Sequence, residues 1–178
     1  MTTIFTTTAA AAAATTKPVL FTQIPSPIGA LLLVSDGEAL TGVYMEAHTY
    51  GPTVHPSWTR AERWFRPARE QLDAYFNGSL TRFDLPLAPR GTAFQQAVWE
   101  ILRSIPYGTT VSYAEVARRL GRPDAVRAVG SANGRNPISI IVPCHRVVGS
   151  GGLLVGYAGG LDRKRKLLEL EARRIATE

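Results

Sequence analysis

The chain has 178 residues, of which 45% are hydrophobic and 19% are charged, and its formal net charge is +6. That length suits one domain or two small ones, and no segment is long and apolar enough to predict a membrane span. The single cysteine excludes an internal disulfide and a zinc site built from cysteines, and it fits a reducing cytoplasm.

The positive charge belongs entirely to the second half of the chain. Residues 1–91 contain seven Lys and Arg against seven Asp and Glu, whereas residues 92–178 contain thirteen against seven. Such an excess is either an ordinary solvated surface or a face that meets a polyanion such as nucleic acid.

The first half predicts a small antiparallel sheet. A Thr/Ala-rich tail, Met1–Thr16, lacks the basic residue and the strong apolar block of a signal peptide, so we expect it to be disordered. Three strands then follow, the last two joined by an Asp-Gly hairpin turn, over Val19–Ile24, Ala30–Val34 and Leu40–Met45.

One helix and a last strand complete the first half. The helix is predicted over Arg60–Phe76, and Pro67 is expected to kink it or to delay its start. The strand is predicted over Phe83–Leu87. A break at Pro89–Gly91 then divides the chain into two predicted domains, residues 17–91 and 92–178.

The second half is predicted to be mostly helical. Thr92 and Gln95 have the spacing of a capping box at the start of one helix, and Ser112 and Glu115 repeat that spacing at the next. A Gly-containing turn and a third helix, capped by Asp124, follow. Two adjacent helices joined in this way predict a helix-turn-helix.

Two further elements follow the helix-turn-helix. The apolar run Ile138–Val142 predicts a strand that ends at Pro143, and a last basic helix is predicted over Asp162–Ala172. The fold class is therefore mixed α/β (α+β), with a small sheet and helix followed by a mostly helical domain.

Arg127 lies near the start of the second helix of the predicted pair, between the small residues Ala125 and Ala128. Small side chains let a helix approach DNA closely, and an arginine there can enter a groove or the base stack. An ordinary exposed arginine is the alternative, since many such helix pairs touch no DNA. The charge excess of the second half favours DNA binding.

The only cysteine, Cys144, is followed directly by His145. A lone cysteine is commonly a small buried hydrophobe, but an imidazole held by a carboxylate can take up its proton and make the thiolate a nucleophile. Glu169 and Glu171 are the candidate carboxylates. Neighbouring residues on an extended chain point apart, so contact between the thiol and the imidazole requires a tight turn or a bridging water.

The segment around Cys144 resembles the active-site segment of the O6-alkylguanine-DNA alkyltransferases. Residues 140–148 read Ile-Ile-Val-Pro-Cys-His-Arg-Val-Val, and the match covers nearly all of the second half in the family's order. Its other motifs are Phe94–Trp99, Ile105–Gly108, Val111–Tyr113, Arg127–Gly130, Asn133–Pro137 and Gly156–Gly160. The first half resembles the family only loosely, through Ser26–Gly29 and Gln71–Phe76.

This resemblance implies a ribonuclease-H-like first domain, a winged-helix-like second domain and a direct DNA repair reaction without a cofactor. O6-alkylguanine, and also O4-alkylthymine, is flipped out of the duplex, and its alkyl group passes irreversibly to Cys144 in a single turnover. Flipping is required because a thiolate has to approach the alkyl carbon in line with the leaving oxygen, which stacking blocks.

The resemblance also implies a role for each residue of the reacting centre. Cys144 is the alkyl acceptor, His145 a base that acts through a bridging water, and Glu171 the carboxylate that orients it. Asn136 ties down the active-site turn. Tyr113 donates to the guanine ring as negative charge develops on the leaving base.

Further residues are implied to contact DNA and the base. Arg127, on a helix lying in the minor groove with Ala125 and Ala128, fills the vacated place in the stack. Backbone groups of Val147, Ala158 and Cys144 read the guanine edge. Ala158 stands where some relatives have a serine, and Ser139 where some have a pocket-lining proline, so both bear on the tolerance for bulky alkyl groups.

Some relatives hold an N-terminal zinc with cysteine and histidine, but only His48 and His55 are available here, so we expect no metal. The expected partner is double-stranded DNA bearing O6-alkylguanine, and no membrane partner is expected. We expect a monomer in solution that can cluster on DNA, in the cytoplasm and associated with the nucleoid.

Three rival functions use some of the same residues. A DNA-binding regulator that senses alkylation would need a second regulatory element, and none is visible. A cysteine hydrolase would turn over, whereas an alkyltransferase stops after one equivalent. A relative that binds alkylated guanine without repairing it would lack the acceptor cysteine, which is present here.

Overall fold

The computed structural model describes residues 18–175, and the predicted tail Met1–Thr16 lies outside them. The first half contains β1 (Leu20–Ile24), β2 (Leu31–Ser35), β3 (Leu40–Met45), β4 (Thr59–Arg60) and α1 (Arg66–Phe76). The second half contains α2 (Ala93–Arg103), β5 (Val111–Ser112), α3 (Tyr113–Arg119), α4 (Val126–Gly134), β6 (Val147–Val148) and α5 (Leu161–Ile175).

The predicted antiparallel sheet is present. Its strand order is β3-β2-β1-β4, with β1, β2 and β3 antiparallel and the short β4 added in parallel to β1. The β2–β3 hairpin turns at Asp36, whose carboxylate accepts the backbone N–H groups of Glu38 and Ala39. Gly37 sits in this turn at a φ of 90°, a conformation that glycine adopts without a steric cost.

The helix predicted from Arg60 begins six residues later, so its predicted start was wrong. Thr59 and Arg60 instead pair with β1 as β4, and α1 starts at Arg66 with Pro67 in its first turn. Proline is favoured there because its missing N–H would have no partner in the first turn of a helix. Pro67 therefore sets the start of the helix and does not kink it.

The strand predicted over Phe83–Leu87 is also wrong, apart from one bridge between Leu87 and Leu40. The N–H of Leu40 donates to the carbonyl of Pro86, and the N–H of Ala88 donates to the carbonyl of Leu40. Prolines within such a segment cannot donate to a ladder, so it covers the start of β3 without extending the sheet.

The predicted capping box of α2 is confirmed, since Thr92 Oγ1 accepts the N–H of Gln95 and the Gln95 side chain accepts the N–H of Thr92. At α3 only half of the predicted box forms. Ser112 Oγ accepts the N–H of Glu115, but the Glu115 carboxylate pairs with Arg118 and Arg119 instead of returning to the cap.

The third helix of the second half starts later than its predicted cap. Pro123–Ala125 forms a 3-10 turn, and α4 follows it from Val126 with no side-chain cap. Asp124 therefore lies inside a turn and not at the cap position predicted for it. The α3–turn–α4 pair is the predicted helix-turn-helix.

The apolar run Ile138–Val142 does not form the predicted strand. It is a tight loop, and Ile140 adopts a φ of 73°, which only a few residues outside glycine adopt. The loop starts beside β3, where Val43 pairs with Ile138. The free edge of β3 is thus covered by the segment that leads to Cys144.

One apolar core runs through both halves of the chain. Leu33 and Val43 of the sheet, Leu72 of α1, Val98 of α2 and Leu167 of α5 all belong to it and are fully buried. The Cys144 segment is packed into this same core. Contacts from both halves can therefore decide the geometry around the thiol.

Candidate active site

Cys144 opens a 3-10 turn, Cys144–Arg146, that directly follows Pro143. The N–H of Cys144 donates to the carbonyl of Val142 at 2.8 Å, and the N–H of Arg146 donates to the carbonyl of Pro143 at 3.0 Å. Cys144 is a free and buried thiol. The tight turn is one of the two arrangements that sequence reasoning left open for bringing the thiol and the imidazole together.

Two buried asparagines from the end of α4 and the residues after it hold this turn. Asn136 Nδ2 donates to the carbonyl of Val142 at 2.8 Å, and Asn136 Oδ1 accepts the N–H of Ile138 at 3.0 Å. Asn133 Nδ2 donates to the carbonyl of Cys144 at 3.4 Å. Asn136 thus joins the two ends of the loop before Cys144, which explains the unusual backbone of that loop.

The structure distinguishes the two candidate carboxylates. His145 Nε2 donates to Glu171 Oε1 at 2.8 Å, and both side chains are fully buried. Glu169 is exposed and pairs with Arg173 on the same helix. Residues two apart on a helix point to nearly opposite sides, so only Glu171 of α5 can reach the turn.

Glu171 also accepts hydrogen bonds from three residues whose part in the site sequence reasoning missed. Arg146 donates to both of its oxygens, at 2.9 and 3.0 Å, and Tyr75 of α1 donates its hydroxyl at 2.8 Å. The backbone N–H of Gly108 donates at 2.9 Å. A carboxylate with this many donors is fixed in place and stays ionised.

The pKa values of the site follow from burial and from these partners. Burial would raise the pKa of Glu171, but the hydrogen bonds and charges of His145 and Arg146 lower it to about 2. Burial lowers the pKa of His145, so the imidazole is neutral at pH 7. Because the Nε2–H group donates to Glu171, Nδ1 is the ring nitrogen that can accept a hydrogen bond. Nδ1 has no protein partner among residues 18–175.

The thiol is protonated in this arrangement. Burial raises the pKa of Cys144, although a hydrogen bond from Asn136 and the charge of Lys164 act in the opposite direction. Its proton must therefore be removed before the sulfur can act as a strong nucleophile.

Tyr113 lies near Cys144. It also contacts residues 155–160, the last part of the glycine-rich segment, which we call the glycine loop. Its hydroxyl donates to the carbonyls of Val155 and Gly156 at 3.2 and 3.3 Å. Burial and the nearby Cys144 raise the pKa of Tyr113 to about 12, so the hydroxyl remains a donor.

Lys164 is a second residue that sequence reasoning missed. It is fully buried, and no carboxylate among residues 18–175 pairs with it. Its Nζ donates to the carbonyls of Val147 and Val155 at 2.6 and 2.7 Å. Burial lowers its pKa to about 8. A lysine in a basic helix is usually solvated. The one sequence signal for its burial is the helical spacing that places Lys164 on the same face of α5 as Leu167 and Glu171.

The residues expected to read the base lie in three different segments. Val147 follows it in β6 and is buried, with its carbonyl already bound by Lys164. Ala158 lies in the glycine loop, where its carbonyl accepts the N–H of Thr49 at 3.0 Å. Ser139 is buried before the turn, and its N–H donates to the carbonyl of Val43.

The helix that carries Arg127 lies apart from these contacts, at the surface. Val129 and Ala132 of α4 face the core, whereas Arg127 and Ala128 are exposed and Ala125 is half-buried. The outer face of α4 thus presents an arginine beside a small side chain, as a groove-binding helix requires.

Within residues 18–175, no three His, Cys, Asp or Glu side chains are placed to hold a metal ion. No helix among the same residues has both the length and the apolar character needed to cross a membrane.

Two family models match almost the whole described chain. The ribonuclease-like domain of 6-O-methylguanine DNA methyltransferase matches residues 19–89, and the DNA binding domain of the same family matches residues 93–173. The ribonuclease-like part of the expected fold is therefore confirmed.

Individual relatives match over most of their own length. A methylated-DNA–protein-cysteine methyltransferase of Mycobacterium bovis is 54% identical over 89% of this chain and 95% of the relative, and one of Methanosarcina acetivorans is 54% identical over 82% and 94%. The crystal structure of Mycobacterium tuberculosis OGT in complex with DNA superimposes with a TM-score of 0.81 at 53% identity, covering 87% of this chain and 94% of that one.

Proposed function

The chain belongs to the 6-O-methylguanine DNA methyltransferase family, and we propose that it repairs DNA by taking the alkyl group of an alkylated guanine onto Cys144. One observation carries this proposal: the only thiol of the chain is buried on a turn whose histidine is held by an ionised carboxylate. A buried thiol cannot reach a base inside a duplex, so the base has to be flipped into the site.

The bonds change as follows. The Cys144 proton passes through a water to Nδ1 of His145, and the sulfur forms a bond to the alkyl carbon. The bond between that carbon and O6 breaks, its electron pair goes to the guanine ring, and the ring takes up one proton to become guanine. The C–S bond of the thioether is stable and the chain has no second thiol to accept another alkyl group, so each molecule reacts once.

His145 and Glu171 move the proton in this scheme. Glu171 accepts Nε2–H and so leaves Nδ1 free to accept, which supports a water between Nδ1 and the sulfur. Since Arg146 already neutralises Glu171, the imidazole stays neutral and can act as a base. Asn136 keeps the turn in the required shape.

Tyr113 supplies the donor for the leaving base. Its hydroxyl is protonated and already donates to carbonyls of the glycine loop, so an entering guanine nitrogen replaces one of these acceptors. Backbone groups of Cys144, Val147 and Ala158 read the guanine edge. Because Ala158 has no hydroxyl, its contact with O6 is made by the backbone N–H alone.

The outer face of α4 is the proposed DNA contact. Ala125 and Ala128 let the helix approach the minor groove, and the exposed Arg127 fills the place that the flipped base leaves. We further propose that the protein acts in the cytoplasm on O6-alkylguanine and O4-alkylthymine, as a monomer that can cluster on DNA.

The test is the mass of the peptide that contains Cys144 after incubation with duplex DNA carrying O6-methylguanine. We expect one added methyl group, at most one equivalent per protein molecule, and none in Cys144→Ser. Catalytic turnover, as in a hydrolase, would contradict the proposal. So would loss of the lesion while Cys144 stays unmodified.

A further inference from the structure

The glycine loop has one turn hydrogen bond of its own, from the N–H of Gly160 to the carbonyl of Tyr157 at 3.0 Å. Three of its six residues are glycines, and two of these, Gly156 and Gly160, adopt φ values of 54° and 90°. Glycine loses more backbone freedom on ordering than any other residue. The position of Ala158 therefore depends also on contacts from outside the loop.

The start of the loop is held from the second half. Tyr113 and Lys164 donate to the carbonyls of Val155 and Gly156, as described above. These contacts end before Tyr157, whose hydroxyl is buried. Burial and the nearby Cys144 raise the pKa of that hydroxyl.

The end of the loop is held from the first half. The N–H of Thr49 donates to the carbonyl of Ala158 at 3.0 Å, and the Thr49 hydroxyl donates to the same atom at 3.3 Å. Met45, the last residue of β3, packs so closely on Gly159 that a Cβ there would lie 2.3 Å from its sulfur.

Arg163, on α5, contacts both the first half and the glycine loop. Its Nε donates to the carbonyl of Ile28 at 2.8 Å, in the turn between β1 and β2, and its Nη1 donates to the carbonyl of Gly159 at 3.0 Å. A planar guanidinium fixes the direction between two acceptors, which a lysine ammonium does not. One side chain thereby ties the glycine loop to the first sheet.

We propose that Arg163 is a positioning residue for the alkyl transfer, which holds the glycine loop against the first half so that Ala158 and Tyr157 keep their places beside Cys144. The inference rests on the proposed function. It gives the first half a part in base recognition, although the thiol, the imidazole and the proposed DNA-contacting helix all belong to the second half.

The experiment compares Arg163→Ala with Arg165→Ala as a matched control. Arg165 is an exposed arginine two residues along the same helix and pairs only locally, with Asp162. Three quantities are measured for each: the transfer rate from O6-methylguanine in duplex DNA and as the free base, the alkylation rate of Cys144 by iodoacetamide, and the affinity for undamaged duplex.

We expect Arg163→Ala to lose about tenfold or more in rate with both alkylguanine substrates, because displacement of a positioning group by about 1 Å is costly. Iodoacetamide does not need the guanine to be held, so its rate and the DNA affinity should match those of Arg165→Ala. Arg163→Lys, which can keep one of the two bonds, should fall between the variant and the unsubstituted protein.

A transfer rate for Arg163→Ala within about twofold of the control would overturn the inference. An equal loss with iodoacetamide would also overturn it, since the substitution would then have disturbed the whole site. Gly159→Ala gives a second measurement that leaves Arg163 intact, and it should reproduce the selective loss by pushing the loop away from Met45. If the unsubstituted protein itself took no alkyl group from either substrate, the proposed function would fail, and the inference with it.

Discussion

Glu171 is the residue on which the polar side chains of the site converge. It accepts hydrogen bonds from His145, Tyr75 and Arg146, and it is fully buried. A buried carboxylate is tolerated only when it is paired and its lone pairs are satisfied, and here both conditions hold. The residue therefore serves stability as well as the proposed proton transfer.

Replacing Glu171 with glutamine should be strongly destabilising. The amide keeps the size of the side chain but leaves Arg146 buried without a counter-charge, which costs about 3–5 kcal/mol in the free energy of unfolding. Urea unfolding at neutral pH measures this cost. Glu169→Gln is the matched control, since that carboxylate is exposed and should change stability by at most about 0.5 kcal/mol.

The same carboxylate predicts the behaviour in acid. Its pKa is about 2 in the folded chain, against about 4.3 in an unfolded one. A lowered folded pKa means that its stabilising contribution is complete above the unfolded pKa and is lost as the pH falls through the folded one. The stability difference between the unsubstituted protein and Glu171→Gln should shrink between about pH 4.3 and 2; a difference independent of pH there would contradict this prediction.

At the scale of elements, α4 separates the proposed DNA contact from the proposed reacting centre. Its inner face, with Val129 and Ala132, belongs to the core, and its outer face carries Arg127. The residues that follow it lead through Asn136 to the Cys144 turn. One helix thus fixes the distance between the proposed groove-binding face and the thiol.

Arg127→Ala should weaken repair in duplex DNA far more than reaction with free O6-methylguanine, because only the duplex has a stack to fill. Single-turnover rates on the two substrates measure the difference. Arg103→Ala, at an exposed arginine of α2 that pairs with Glu100, is the control and should change neither rate. Equal losses of Arg127→Ala on both substrates would rule out the stack-filling role.

At the scale of the whole molecule, the two halves differ in charge but share one core. All of the net charge of +6 belongs to residues 92–178, whereas the apolar cluster contains side chains from both halves. The first half is thus neutral and shares its core with the second, which carries the charge that suits the proposed polyanionic partner.

This division predicts that the affinity for duplex DNA depends strongly on salt concentration and that the reaction rate with the free base does not. Affinity for duplex should fall linearly on a log–log plot against salt concentration, because phosphate contacts release counterions. The reaction with the free base involves no phosphate and should stay nearly constant over the same range. Titrations of labelled duplex and single-turnover rates give the two curves, and a salt-independent duplex affinity would exclude phosphate contacts as the source of binding.

Much of the fold could be predicted because its signals are local. The Asp36 hairpin, the Thr92 capping box and the helix-turn-helix depend on side chains that act within a few residues of their own backbone. The predictions that failed involve distant partners. Thr59 and Arg60 leave the predicted helix to pair with β1, and the run before Cys144, which has the composition of a strand, starts instead beside Val43 of β3.

The sequence by itself determined which thiol reacts, since the chain has one cysteine and a histidine beside it. Only the tertiary structure decided what surrounds that thiol. Glu171 and not Glu169 reaches His145 because of the rotation of α5, and Tyr75 and Arg163 act across the boundary between the halves. Periodicity shows that a residue faces inward, but the partner it meets depends on how the helices and the sheet pack together.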